Sequence, residues 1–584
     1  MPNPKWKIAA GCPMYSSFVN YFADDVSRNR SKSWNKHWNA YMTHQNLPQK
    51  VLQQEFHVHF VSTSPNASVS EQFLEFKAAV EEMHADPVEV RDESGNATCF
   101  CIHCNAGPSD NPMQSEISAH IGGKGNCFCR KCQVGGTQAD KATNEGYHAL
   151  FEAGVPRTKE QIIQELEKQV KLVCSGIIKP VKDLQTKTGV KDTYTQFWID
   201  GIISRFKEMR KDGPNRSVEE IQEELVQWTV ENQDNIYSGF LTMKGFGPTK
   251  DTPIKILHTI LLGIIKYIWH VMHTPWSAEQ KQMYAHRLQS TSTDGLSIHP
   301  IQSAYIMQYA GSLIGRQLKT LAQTNVFHVR GLVTDDQFTD WKAAGEFAAL
   351  LWVPEIRNLA EYRRDLQVAV ANVLDIFATI DPSKIITKIK YHLLVHTDDD
   401  VVEFGPLIGL AMEIFESFND ILVDAASLVL VVLERFQVLS ARDATFGVPV
   451  LTRRDSEVTY SIVPAKSIKF KFNVQHDCDS AECSATGQRL RMQERVKSDQ
   501  IENYVVHEPL DCFFINMHSF HNAHLLRTTL LRELVAPIPL FSDRQAKHFE
   551  LATQLREKVA SRKAAAAKKR KRPEDDDDDD GSLL

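Results

Sequence analysis

Between residues 20 and 104 the apolar residues recur with the period of a β-sheet interrupted by one helix, and this order constrains the fold more than any other feature of the chain. Asn20-Tyr21-Phe22-Ala23 reads as a short aromatic strand ending in Asp24-Asp25, and His37 to Met42 as a second strand after a polar turn. From Glu55 to Val61, Phe56, Val58 and Phe60 alternate with His57 and His59, the pattern of a strand with one buried face. Ser68-Val69-Ser70-Glu71 fits a capping box and predicts a helix with Phe73, Phe76, Val80 and Met83 as its apolar stripe. Thr98 to Cys104 is strand-like again and runs into Gly107 to Pro112. The predicted order is strand, strand, strand, helix, strand, with one aspartate at the end of the first strand and another just beyond the last.

The texture then changes twice. Lys159 to Val173, Val218 to Val230, Ile254 to Met272, Ala304 to Ala322 and Leu359 to Ile380 all carry three-to-four spacing of apolar residues, and a further helix is predicted over Leu407 to Leu422. The Ile254 to Met272 run is broken by Lys255, His258, Lys266 and His270, which suits a buried helix better than a membrane span. Beyond Glu434 short β-like runs appear, including Val458 to Val463 and Ile468 to Val474, before a last helix from about Asp543 to Lys563. The expected organisation is 1–143, an α/β unit with a zinc-knuckle-like segment; 144–404, a helical insertion; 405–433, the second part of the α/β unit; 434–542, a small β-rich domain; and 543–584, a helix with a charged tail.

Composition narrows the function classes. The net charge of −7 over 584 residues excludes nucleic-acid binding by bulk charge, so any DNA contact must come from local patches. Eleven cysteines are too few for a disulfide scaffold. The first residues carry no apolar signal core, and an intracellular protein without a membrane partner is expected.

Two sets of residues point to chemistry. Phosphoryl transfer by two metal ions needs carboxylates that converge from rigid elements. Asp24 or Asp25 and Asp110 stand at the predicted strand ends, and Glu413, Glu416 and Asp420 fall on one helix face. Each also has a plain reading: adjacent acids in a loop, Asp110-Asn111-Pro112 as turn chemistry, and a solvated helix face. The second set is Cys129-Arg130-Lys131-Cys132, a CxxC after a glycine-rich turn and half of a zinc site. His120 and His148 are the expected completion, with Cys127 or Cys104 as substitutes; buried free thiols are the alternative. Cys101-Ile102-His103-Cys104 has the same spacing, but on a strand residues three apart face opposite sides. His476, Cys478 and Cys483 form a partial set without an evident fourth ligand.

Phe22-Ala23-Asp24-Asp25-Val26-Ser27 with Asn35-Lys36-His37-Trp38, Ser109 to Glu116, Gly122 to Asn126 and the CxxC together resemble fungal transposon-encoded proteins. These are the large DDE transposases of the CACTA, Plavaka and KDZ groups. Asp251 to His258 and Glu413 to Asn419 are similar to later blocks of the same family. The resemblance implies an α/β, RNase H-like core with a large all-helical insertion and a small β-containing C-terminal region. It further implies DNA strand cleavage or transfer, or a degenerate relic of it retaining only nuclear DNA or protein binding. Mg2+ or Mn2+ would be held by Asp24, Asp110 and Glu416, with Asp25 and Glu413 as near alternatives, and zinc by the CxxC. Family members usually carry a long region before the first aspartate; about twenty residues precede it here, as expected of an N-terminally shortened relative.

Lys568, Lys569, Arg570, Lys571 and Arg572 form a basic run that fits a nuclear import signal, followed by six aspartates from Asp575 to Asp580. The import machinery, DNA and an oligomeric partner copy are the partners this reading suggests, with the nucleus as location.

Overall fold

A central strand whose middle, Val19 to Ala23, is buried on both faces organises the first part of the molecule. The computed structural model describes residues 5–570 except 10, 28–35, 53, 213–215, 412–429, 454–459, 465–466 and 493–496. Strands β1 (Met14–Ser27), β2 (Lys36–His44) and β3 (Val58–Ser64) form an antiparallel meander. Helix α1 (Val69–Ala85) then crosses to the short β4 (Val88–Arg91) and to β5 (Ala97–Ala106), which pairs parallel with β1. The sheet order is β3-β2-β1-β5-β4. The edge strand β4 was not expected: it is four residues long and exposed throughout, so it carries no alternating pattern.

The capping box at Ser68 forms as expected, with Ser68 Oγ accepting from Glu71 N and Glu71 Oε2 from Ser68 N. It starts α1 in the register that buries Phe73, Phe76 and Val80 against β1. Tyr21 meets Phe73 edge-on at 4.9 Å, and Phe73 stacks on Phe240 at 3.8 Å. On the other face of β1, Lys255 Nζ lies 4.6 Å from the Phe22 ring.

Helix α2 (Asn111–Ile117) follows β5, and the helical region includes α3 (Lys159–Val173). A π-helix, Ile256–Ile265, continues directly into α4 (Lys266–His273), where sequence spacing predicts one α-helix. This stretch is apolar and long enough to cross a membrane, but 67% of it is buried inside the protein. Helices α5 (Ala278–Gln289), α6 (Asp335–Leu351), α7 (Leu359–Ile380), α8 (Ile389–Leu393) and α9 (Thr397–Phe404) complete the same layer. Ala304 to Ala322 is not one helix. It breaks after Gln308, and Trp269 Nε1 donates to the freed Ala310 carbonyl at 2.9 Å. Gly311 and Gly315 in its middle make that break inexpensive. The main core joins Ile260, Ile264, Trp269, Trp341, Phe347, Phe377 and Tyr391.

C-terminal to it, β7 (Phe436–Arg442), β8 (Pro449–Arg453), β10 (Val474–His476) and β13 (Cys512–Ile515) form a sheet of order β10-β13-β8-β7. Two separate ribbons pair β6 (Leu430–Glu434) with β9 (Tyr460–Pro464), and β11 (Ser484–Met492) with β12 (Lys497–Val506). The last helix, α10 (Arg544–Arg570), returns to the helical core: Leu551, Ala552 and Leu555 pack into it, and Arg544 and His548 both bind Asp375.

A buried ion pair ties these parts together. Lys131 Nζ donates to Asp400 Oδ1 at 2.7 Å and to Lys250 O, while Asp400 Oδ2 accepts from Ile254 N at 2.8 Å. Both side chains are almost fully buried, at 6% and 2% exposure. Removing one partner of such a pair costs about 3–5 kcal/mol. Asp400→Ala is therefore expected to lower stability by that order in urea unfolding followed by tryptophan fluorescence. Glu403→Ala, which breaks the exposed 2.6 Å pair with Lys250, is expected to cost less than about 1 kcal/mol.

Candidate metal centre

The CxxC segment lies in an irregular loop whose shape depends on glycine. Gly135 sits at φ +148°, and a Cβ there would meet Asn126 O at 2.5 Å. The loop closes through Gly136 N donating to Asn126 O at 3.0 Å. Arg157 then fixes its inner side: Nε donates to both Cys129 O and Cys132 O at 2.9 Å. The two residues between the cysteines anchor outward. Arg130 donates to Asn111 Oδ1 and Gln114 Oε1 on α2, and Lys131 makes the buried pair with Asp400.

His392 in α8 and His396 one turn later face these cysteines. Gly263 allows this approach, since its missing side chain leaves room for Lys390, whose Cδ would lie 2.6 Å from an added Cβ. Cys132 Sγ is 3.2 Å from His392 Nε2, and Cys129 Sγ is 3.5 Å from His396 Nε2. The four ligand atoms all lie within 4.8 Å of one another, and the residues are 0–4% exposed. His392 Nδ1 donates to Leu150 O at 2.9 Å, which fixes the ring with its Nε2 toward the cluster. His396 Nδ1 lies 3.8 Å from Asp399 Oδ2. Burial raises the Cys129 thiol, yet the hydrogen bond with Cys132 and the two imidazoles outweigh it and hold Cys129 well below the usual thiol range. Cys132 is held up, first by that hydrogen bond and then by burial. Two sulfurs and two imidazole nitrogens in this arrangement could hold a metal such as zinc.

The expected completion by His120 and His148 is corrected. Both nitrogens of His120 are engaged, with Cys127 O at 2.8 Å and Gly122 N at 3.0 Å, and burial together with Arg157 pushes it down to about 4. His148 pairs with His548 at 2.8 Å and with Glu152. Cys127 donates to Lys187 O, and Cys104 is buried in the sheet core. The missed histidines form an HxxxH on one helical face, a spacing that complements a CxxC, but 260 residues separate the halves. His84, Cys101 and His103 also approach one another within 4.8 Å.

The acids are only partly within view. Asn20 is level with Ala106, the last residue of β5, in the parallel pairing; Asp24 lies four residues further along β1, and Asp110 lies beyond the end of β5, at the start of α2. Ala23 N donates to Ser109 Oγ at 3.3 Å, which joins the two segments. Asp110 caps α2, its Oδ1 accepting from Met113 N at 2.8 Å. Burial and then Lys255 bring His258 down to about 4; burial, with Lys266 and Lys388, brings Lys390 down to about 8. The Asp25 side chain lies outside the described residues, as do Glu413, Glu416 and Asp420. Of the helix expected over Leu407 to Leu422, residues Leu407–Leu410 are a 3-10 turn and Ala411 is extended.

A domain of unknown function (DUF8590) matches residues 380–535. That span contains His392 and His396 but not the cysteines they meet. No curated protein matches the sequence.

Replacing His392 and His396 together by alanine is expected to remove one equivalent of metal from protein purified without chelator, measured by inductively coupled plasma mass spectrometry. His120→Ala with His148→Ala is expected to leave the metal content unchanged.

Proposed function

We propose that this chain is a DDE-type transposase-like protein on an RNase H-like core, acting on DNA phosphates. The observation that carries the reading is that Asp24 on β1 and Asp110, just past the end of the adjacent parallel β5, follow segments joined by the Ala23 N to Ser109 Oγ bond. The meander β1–β2–β3, the crossover by α1 and the parallel β5 support it, because carboxylates can converge from such a sheet on rigid supports. In this reading Asp24, Asp110 and Glu416, with Asp25 and Glu413 as near alternatives, would hold Mg2+ or Mn2+, which would supply Lewis acidity toward a phosphate and toward water or a 3′-hydroxyl.

The Cys129, Cys132, His392 and His396 set is proposed to hold one structural zinc. All four places are taken by protein, which leaves no open position for substrate. The zinc would fix the loop behind Asp110, because Arg130 reaches from between the cysteines to Asn111 and Gln114 of α2. The basic run Lys568 to Arg572 would direct the protein to the nucleus.

A second reading has its own support. Asp110 already caps α2, its Oδ1 accepting from Met113 N. This cap suits a structural aspartate in a catalytically inactive DNA- or protein-binding descendant of a transposase. Full-length protein incubated with supercoiled plasmid and Mg2+ or Mn2+ distinguishes the two. The catalytic reading expects metal-dependent nicking that falls at least about a hundredfold in Asp110→Asn. Asparagine caps helices as well as aspartate, so that variant is expected to keep its fold. Wild-type protein without metal-dependent nicking would overturn the catalytic reading in favour of the binding one.

A further inference from the structure

We infer that the protein carries a second zinc site, formed by His476, Cys478, Cys483 and His507, which clamps the base of the β11–β12 ribbon. Cys478 Sγ lies 3.3 Å from His507 Nδ1, and Cys483 Sγ lies 3.7 Å from His476 Nδ1. All four ligand atoms fall within 4.8 Å of one another.

Two independent features point to a metal rather than to a chance gathering of polar groups. The first is the orientation of both imidazoles. His476 Nε2 is 2.8 Å from Glu508 O, and His507 Nε2 is 3.2 Å from Ser290 O. A carbonyl accepts only, so each Nε2 carries the proton and each Nδ1 presents its lone pair to the cluster. Carbonyl-fixed imidazoles of this kind are the usual outer shell of a histidine ligand. The second is the sulfur environment. Glu508 N donates to Cys483 Sγ at 3.2 Å, which holds the sulfur in place against the start of β11. The turn between the cysteines closes through Cys483 N to Cys478 O at 3.0 Å, with Glu482 in the left-handed region at φ +52°. Two sulfurs and two nitrogens select a borderline-soft dication in tetrahedral geometry, which is zinc.

The position gives the site its work. Cys483 immediately precedes β11 and His507 immediately follows β12, with Ser484 paired to Val506. Among the described residues this ribbon joins no larger sheet, and isolated two-stranded ribbons are marginal in water. Zinc would lock its two ends together and, through His507 and the 2.9 Å bond from Val505 N to Ser290 Oγ, hold it against the end of α5. Unlike the buried first cluster, three of these ligands are half-buried and His507 is exposed. The two sites are therefore expected to release zinc at different rates.

The test uses full-length protein purified with zinc. Two equivalents of zinc are expected, one passing to a colorimetric chelator in a fast phase and the other in a slow phase. Cys478→Ser with Cys483→Ser is expected to abolish only the fast phase and leave one equivalent. In the same variant, hydrogen–deuterium exchange should rise across residues 484–506 and stay unchanged in α8. The wild-type kinetics stand whether or not the variant folds. A single equivalent in one slow phase would overturn the inference. So would a Cys478–Cys483 disulfide, seen as a 2 Da loss in freshly purified protein. Failure of the first site would instead remove the slow phase and leave the fast one, so the two assignments fall separately.

Discussion

The meeting of Cys129 and Cys132 with His392 and His396 joins chain segments 260 residues apart and seats the CxxC loop against α8. Closing so long a loop costs about 5–6 kcal/mol on the chain-entropy relation for a cross-link. Structural zinc in a set of this kind contributes about 10–16 kcal/mol near neutral pH, so a bound zinc would outweigh closure with a margin. The residues between the ligands extend the effect. Arg130 reaches the α/β unit, Lys131 reaches Asp400 in α9, and Arg157 holds both cysteine carbonyls. A single ion would thus set the relative position of the sheet, the π-helix and the α8–α9 segment.

This junction also explains how the sheet edge and the helical region are held together. Gln114 of α2 donates to Pro253 O at 2.6 Å, next to the Ile254 amide that Asp400 accepts. Asp110 heads the same short helix, so its position is linked through Gln114 and Arg130 to the metal ligands. On the proposed reading, the zinc acts on the reacting edge as a support at a distance. It takes no part in the chemistry.

Local signals were legible in the sequence, and long-range ones were not. The capping box at Ser68 and the apolar stripes of α3 and α7 located those helices, because each depends on contacts within a few residues. The CxxC was visible as half of a site for the same reason. Its partners were not, since nothing local distinguishes His392 and His396 from His120 and His148. What separates them is the carbonyl of Leu150 on one side and full use of both nitrogens on the other. The break in the Ala304 to Ala322 helix depends on Trp269 taking a carbonyl from another helix, and the π-helix at Ile256 is masked by apolar spacing that fits both helix types. Ile468 to Val474 reads as a strand, but only Val474 joins one; Asn473 instead donates to Ser292 O and Asp294 O from an irregular segment.

The central claim is that a zinc ion bridges the two halves of the chain, and its first coordination shell is the most direct evidence that can be obtained. X-ray absorption at the zinc edge, on Cys478→Ser/Cys483→Ser protein so that only this site contributes, should give two sulfurs at about 2.3 Å and two nitrogens at about 2.0–2.1 Å. A shell of light atoms alone, or one unchanged when His392 and His396 are replaced, would contradict the account.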